Sequence, residues 1–398
     1  MTNPFCFSGS METYVQKNHL LSLTWLRAFA AFFVVVSHTV RASEQKYAPV
    51  DEESYFLPFA ILDLGTFGVY LFFALSGCTL YISNKNKVQS LSMFGAFFLK
   101  RFFRIWPPFA VSILIYLIFI EFFKIFYSAD SSLWIGQFLQ DYTFFNVFQY
   151  LSLTFNITGP SGLFQDPYWS LPVEFQYYLL FPIAVILMKR KGWSSLIPIL
   201  FGAALYLIYS ESLLVIDKDE VFKMGYTFFG GILLAYIYQY RKFQIPAIGS
   251  IICFFGLVFL VGLIRIDRIE IPSNVPFLSS KWNVYGISAI ISVFLALNMK
   301  PIQKENVITG LLTSYGEVSY SIYLFHMIFI GISVLLVVNA PIYGDTVKLS
   351  FIFLVTLLGS YFFSILSYKF VEMPSIKMGR KLSKALQSTD TRIDKSVS

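Results

Sequence analysis

Residues 20–40 read Leu20-Leu21-Ser22-Leu23-Thr24-Trp25-Leu26-Arg27-Ala28-Phe29-Ala30-Ala31-Phe32-Phe33-Val34-Val35-Val36-Ser37-His38-Thr39-Val40. Arg27 and His38 are the two ionisable side chains in an otherwise apolar run. Wound as a helix the run rises about 31 Å, which matches a hydrocarbon core of about 30 Å. It is too long for the apolar core of a leader peptide and no small-residue cleavage site follows it, so it is expected to persist as a first transmembrane helix. Comparable runs recur near 59–83, 105–124, 172–188, 193–210, 221–240, 245–264, 282–299, 318–338 and 348–368. Most run well past the roughly 10 residues of a barrel strand, and they lack its two-residue alternation. The predicted fold is an all-α polytopic membrane protein of ten transmembrane helices.

Composition agrees with that reading. Of 398 residues, 56% are hydrophobic and 13% charged, against roughly 25% charged in soluble domains. Such a chain has too little polar surface to cover a soluble core, which excludes a soluble enzyme, a disordered chain and a fibre. The net charge of +7 is expected from basic residues held in cytoplasmic loops, so nucleic acid is not an expected partner. One alternate set of loops carries twenty Lys and Arg, the other nine. This places both termini in the cytoplasm. The expected organisation is a cytoplasmic segment 1–19, a transmembrane domain 20–370 with an outer loop at about 125–171, and a basic cytoplasmic tail 371–398. Within the outer loop, Tyr142–Ile157 is apolar. Counted as a span it would turn the basic Met188–Gly192 cluster outward, so it is expected to be interfacial or re-entrant. Cys6, Cys78 and Cys253 have no metal or disulfide spacing, and the last two are expected in packing. Gly230-Gly231 marks a close helix approach without saying between which partners.

Charge inside hydrocarbon costs roughly 2.5–3.5 kcal/mol per residue, so the ionisable residues of the spans point to function. They are Arg27, His38, Asp63, Glu174 and His326, with Glu317 at a boundary. Arg27 and His38 stand eleven positions apart, about 16 Å along a helix and within about 20° of three full turns. They share one face at different depths, and His suits proton transfer near neutral pH. Arg101 and Arg104, three apart, can present two guanidinium groups to a phosphate from one helical turn. Pro167-Tyr168-Trp169-Ser170-Leu171-Pro172-Val173-Glu174 leads a carboxylate into the fourth span from outside, at an expected depth similar to His38. Gly316-Glu317-Val318-Ser319-Tyr320-Ser321-Ile322-Tyr323-Leu324-Phe325-His326 opens the ninth span with a polar face. The plainer alternatives are snorkelling of Arg27, an interfacial His38, anchoring by Arg101 and Arg104, a helix-dipole role for Glu174, and helix–helix hydrogen bonding in the ninth span.

Together these stretches resemble the integral-membrane acyltransferase family 3 over roughly residues 20–374. The Arg-x10-His hallmark is matched by Arg27 and His38, and Arg-x-x-Arg by Arg101 and Arg104. Phe67 to Gly77, Trp169 to Glu174, Ser319 to His326 and Glu372-Met373-Pro374 match four further stretches in order. Two departures stand out: Thr24-Trp25 replace a common Asp-Gly, and Cys78 stands where Phe or Tyr is usual.

The resemblance implies transfer of an acyl group, most often acetyl, from cytoplasmic acyl-CoA across the membrane. The acceptor would be a hydroxyl of an envelope glycan or lipid-linked saccharide, such as O-antigen lipopolysaccharide or exopolysaccharide. It implies acetyl-CoA as co-substrate, no metal, and a multi-pass protein of the cell inner membrane. His38 is expected as general base, with Glu174 orienting it or holding the acceptor, and Arg27 stabilising the donor side. Arg101 and Arg104 are expected on CoA phosphate, Tyr323 and His326 along the donor passage, and Trp169 and Ser170 at the acceptor. The alternative from another class is a transporter of a glycan precursor or small acid; it would call for inverted repeats, which the sequence does not display.

Overall fold

The computed structural model describes residues 11–44, 61–86, 91–126, 139–159, 162–189, 194–210, 220–271, 274, 277–302, 306–339 and 345–397. Among these the chain is helical; its one β-type pairing is an isolated bridge between Ile245 and Met299. Cys6 lies outside the described residues.

Among the described residues ten helices overlap the ten predicted spans in sequence. They are α1 (Met11–Glu44), α2 (Gly65–Asn84), α3 (Leu91–Lys124), α6 (Ser170–Met188), α7 (Leu196–Ser210), α9 (Gly225–Tyr240), α10 (Ala247–Arg265), α11 (Lys281–Asn298), α13 (Ser319–Asn339) and α14 (Asp345–Ser367). Seven of the helices among the described residues are long and apolar enough to cross a membrane. The shorter ones are α7, α9 and α11, with 15, 16 and 18 residues. α1 runs through the centre, packed against α2, α11, α13, α14 and the short α12 (Val307–Glu317). Its middle is accordingly buried, with Ala30, Val35 and Val36 fully enclosed.

Boundaries moved where local chemistry overrides hydropathy. α3 begins about fourteen residues before its predicted span and carries Lys100–Arg104 within the helix, continuing through Pro107 and Pro108. α1 begins at Met11, so the expected break near residue 20 is no element boundary. The basic tail is itself a helix, α15 (Met373–Val397), joined to α14 by a π-helical turn, Tyr368–Glu372, that buries Glu372. α15 lies along the start of α3, Gly379 against the Phe103 side chain. The Gly230-Gly231 approach is internal: a Cβ on Gly231 would fall on the Ala74 carbonyl, and one on Gly77 on the Phe228 carbonyl, so α2 and α9 touch backbone to backbone. Cys78 is buried, as expected, whereas Cys253 is exposed on the outer surface of α10.

The apolar stretch 142–157 does not cross. It folds into α4 (Phe144–Leu151) and α5 (Phe155–Thr158). Eight residues of helix cover only about 12 Å. A capping box between Thr143 and Asn146 starts α4, and Leu153, at φ 56°, reverses the chain after it. Trp106 of α3 donates to the Leu151 carbonyl at 2.6 Å, which ties the tip of this hairpin to the inside of the bundle. Tyr150 stacks on Phe155 at 4.0 Å, while Phe144, Phe145 and Phe148 stay exposed, an apolar face that suits either an interfacial or a re-entrant element. Burial pushes the Tyr150 phenol up to about 12. The short α8 (Glu220–Lys223) precedes α9.

Candidate functional site

A chamber of about 600 Å³ opens at the end of the bundle where α3 begins. Five of the long helices converge on it. α1 supplies Arg27, α2 Ser76 and Thr79, α3 Arg101 and Arg104, α6 Ser170, Glu174 and Tyr178, and α13 Ser319, Tyr320 and Tyr323. Glu317 and Arg380 also line it. The sequence puts them there by helix periodicity: Ser76 and Thr79 are one turn apart on α2, and Ser170, Glu174 and Tyr178 are successive turns of α6. Four arginines face two carboxylates, so the chamber carries an excess of fixed positive charge in a site walled by low-dielectric protein.

Hydrogen bonds hold this polar set in place. Ser76 donates to Glu174 Oε1 at 2.8 Å, and the Tyr178 hydroxyl donates to the same oxygen at 2.5 Å. Arg27 Nη2 donates to Thr79 Oγ1 at 3.2 Å. The Arg101 guanidinium lies over Tyr178 and Phe97, 5.7 and 5.8 Å from the ring centres. A fixed aromatic seat of that kind orients a guanidinium while leaving N–H groups for an oxyanion. Beside the chamber, buried Glu372 accepts from Ser321 at 3.2 Å.

Tyr323 and Ser170 mark the inner limit of the chamber. Their hydroxyls are hydrogen-bonded at 2.7 Å, and Tyr323 also donates to the Pro167 carbonyl. Next along α13 lies His326, fully buried, with its ring centre 5.3 Å from that of His38. His326 Nδ1 faces the carbonyls of Ile322 and Tyr323 at 3.1 and 3.0 Å. Two carbonyls demand a donor, so the proton sits on Nδ1 and Nε2 presents its lone pair. That Nε2 is buried without a hydrogen-bond partner among the described residues. His38 is buried, and its Nδ1 lies 4.0 Å from Asp166 Oδ2, which Arg41 Nη1 approaches to 3.5 Å.

The structure thus gathers Arg27, Arg101, Arg104, Glu174, Ser170 and Tyr323 around one chamber, and His38 with His326 just beyond it. Trp169 is half-buried and packs against the core, outside the chamber lining. One expectation is corrected. Glu174 does not sit at the depth of His38; it belongs to the arginine chamber. The approach to α6 is already helical from Asp166, so Glu174 lies about 12 Å further in, eight residues at 1.5 Å each. The carboxylate beside His38 is Asp166, which sequence reasoning passed over because it precedes the apolar run. An acid immediately before Pro167 at a helix entry was the available signal. Thr79 and Tyr178 were also missed, and Ser76 and Glu372, though inside matched stretches, were given no role, since single hydroxyls and a tail acid carry little weight in an apolar chain. Asp63 pairs with Arg265 at 2.8 Å, away from the chamber. Among the described residues no group of three or more His, Cys, Asp or Glu side chains could hold a metal ion.

Comparison with known proteins fits this geometry. A family model described as an acyltransferase domain matches residues 20–365. A protein of the Acidianus two-tailed virus, which carries the name "Putative acetyltransferase ORF330", is 22% identical over 327 residues, covering 80% of this chain and 85% of the relative. No solved structure matches.

Proposed function

We propose, from the premise that this chain belongs to acyltransferase family 3 and is an acyltransferase, that it moves an acetyl group from cytoplasmic acetyl-CoA to a hydroxyl of an envelope glycan. The observation that carries this reading is the arginine chamber, closed at its inner limit by Tyr323 and Ser170 directly beneath the His38–His326 pair. Arg27, Arg101 and Arg104 come from two helices and leave an excess of positive charge where a phosphate-rich, slender donor would enter. The positive-inside bias of the loops supports a cytoplasmic mouth and ten crossings with both termini inside. The name of the viral relative favours acetyl over longer groups. The membrane is then the cytoplasmic one.

The chemistry follows from proton bookkeeping. His38 Nε2 takes the proton of the acceptor hydroxyl as its oxygen attacks the thioester carbonyl. The tetrahedral intermediate collapses with loss of the CoA thiolate, which receives the proton from the imidazolium. The products are an O-acetyl ester and free CoA. Asp166, on the Nδ1 side of His38, holds the ring orientation and stabilises the imidazolium. Arg27 and Glu174, fixed by Thr79, Ser76 and Tyr178, hold the donor end of the passage. His326 Nε2 offers an acceptor lone pair to the group passing Tyr323.

The test uses inside-out vesicles given radiolabelled acetyl-CoA from the outer solution. Wild type should place label on luminal glycan, and His38→Ala, expressed to the same level, should lose transfer by at least roughly a hundredfold, the low end for a general base. Full activity in that variant would remove His38 from the chemistry. Label appearing only with right-side-out vesicles would reverse the orientation.

A further inference from the structure

At the opposite end of the bundle from the arginine chamber lies a second, smaller cavity of about 220 Å³. It sits between the end of α1, the start of α2, the end of α10 and the start of α11. Arg41, Asp63, Arg265, Lys281, Trp282 and Tyr285 are among its walls. Among the described residues three cations meet one carboxylate here. Asp63 is spent on Arg265 at 2.8 Å, and Arg41 reaches Asp166 at 3.5 Å. Lys281 makes no ion pair among the described residues.

A second observation is independent of charge. Tyr285 is 1% exposed and lines the cavity, yet its hydroxyl has no hydrogen-bond partner among the described residues. Buried hydroxyls are rarely left unmatched, because the unpaired group carries its full desolvation cost. An unmatched donor on a residue that lines a basic cavity is satisfied by an acceptor-rich guest. The first turn of α2 faces the same space, and its N-cap, Leu64, provides no side-chain cap, so open backbone N–H groups add to the positive field. Trp282 gives an apolar wall on which sugar C–H groups can lie.

The cavity is coupled to the reacting histidine by one side chain. Arg41 lines it and also touches Asp166, which lies 4.0 Å from His38. Its volume is below the roughly 300 Å³ at which drug-sized ligand pockets begin, so it suits a single residue of a glycan rather than a chain. We infer that this cavity is the acceptor subsite and that it selects a sugar bearing an oxyanion, a carboxylate or a phosphate, held by Lys281, Arg41 and the Tyr285 hydroxyl. The inference rests on the acyl-transfer reading for its role in the reaction, whereas binding itself does not require that reading.

The experiment separates the two. Wild type in nanodiscs is titrated with galacturonate, galactose 6-phosphate and galactose by saturation-transfer NMR, and with CoA in parallel by calorimetry. One or both anionic sugars should bind roughly tenfold or more tightly than galactose, the worth of one charge-assisted hydrogen bond. Whichever of the two is stronger identifies the anion. Lys281→Gln and Tyr285→Phe should each erase most of that preference and leave CoA binding unchanged. Galactose binding as well as both anions, no binding of either anion, or a preference untouched in both variants would overturn the subsite. Loss of CoA binding with the sugar preference intact would instead sink the acyl-transfer reading and leave the subsite standing.

Discussion

Asp166→Asn is the substitution whose outcome depends most directly on the geometry. The carboxylate lies 4.0 Å from His38 Nδ1. At that distance a unit pair is worth about 4 kcal/mol at an effective dielectric of 20 and about 1 kcal/mol in water. The Asp166 side chain is 48% exposed, and Arg41 shares the same oxygen at 3.5 Å. Both facts pull the value toward the aqueous end, to about 1–2 kcal/mol of lost imidazolium stabilisation, or roughly 5–30-fold in kcat. Asparagine keeps the shape and a hydrogen-bonding oxygen, so packing is preserved. The arginine chamber, proposed to take acetyl-CoA, lies on the far side of Tyr323, so the KM for acetyl-CoA should not move. Initial rates of acetyl transfer by purified protein in nanodiscs, at varied acetyl-CoA, read both constants. A wild-type kcat would refute the pairing. A loss as deep as that of His38→Ala would make Asp166 more than a positioning residue, and a raised KM with unchanged kcat would place it on the donor.

Arg101→Ala and Arg104→Ala should each raise the dissociation constant for CoA by about 10- to 100-fold through loss of a charge-assisted contact, and Arg101→Lys should recover it only in part, since a point charge cannot reproduce a stacked planar fork; calorimetry on CoA reads this. Gly77→Ala should destabilise the bundle by about 1–3 kcal/mol or prevent its assembly, as the new methyl meets the Phe228 carbonyl on α9. Gly249→Ala, with nothing within 4 Å of its Cβ, is the matched control and should leave the thermal midpoint at or above wild type. Tyr323→Phe removes the hydrogen bonds to Ser170 and Pro167 but keeps the ring, so acetyl-CoA hydrolysis without acceptor should rise relative to transfer; an unchanged ratio would show that these bonds do not separate the chamber from the histidines.

The helical class and most span positions were legible because one rule governs them: backbone in hydrocarbon must satisfy itself, and only long apolar helices do so locally. The Arg-x10-His spacing survived folding for a similar reason. A helix converts eleven positions into a fixed rise and azimuth, and the structure delivers Arg27 to the chamber and His38 beyond it. The partner of His38 was not legible in the same way. Glu174 and Asp166 both stand near the entrance of α6, and choosing between them needs the depth at which the helix starts, which hydropathy blurs by several residues. Hydropathy set that start at Pro172. The structure begins the helical path at Asp166, and six residues were enough to exchange the two acids between the two sites. The re-entrant hairpin was legible as a non-crossing element from charge balance. Its depth, fixed by Trp106 bonding to the Leu151 carbonyl, was not.

The two ends of the molecule differ in how they treat charge, and the difference bears on how transfer across a membrane can avoid leak. At the chamber end, four arginines face two acids and the cavity is broad. At the other end Arg41, Arg265 and Lys281 share Asp63, and the cavity is about a third the volume. Under the proposed function the long, phosphate-bearing donor has room only in the first, and the second is left to a single anionic sugar. Between them stand the buried side chains of Tyr323, Ser170, His326 and His38. The Tyr323–Ser170 and Tyr323–Pro167 hydrogen bonds are worth about 0.5–1.5 kcal/mol each. Under the proposed function that is small enough to be displaced by an arriving pantetheine arm, while the burial of both side chains keeps the passage closed before it arrives. A fully sealed core would bar the thioester, and an open one would let water reach His38 and hydrolyse it. Under the proposed function the Tyr323 and Ser170 hydroxyls meet both demands, which gives the polar residues of α13 a role in an otherwise apolar helix.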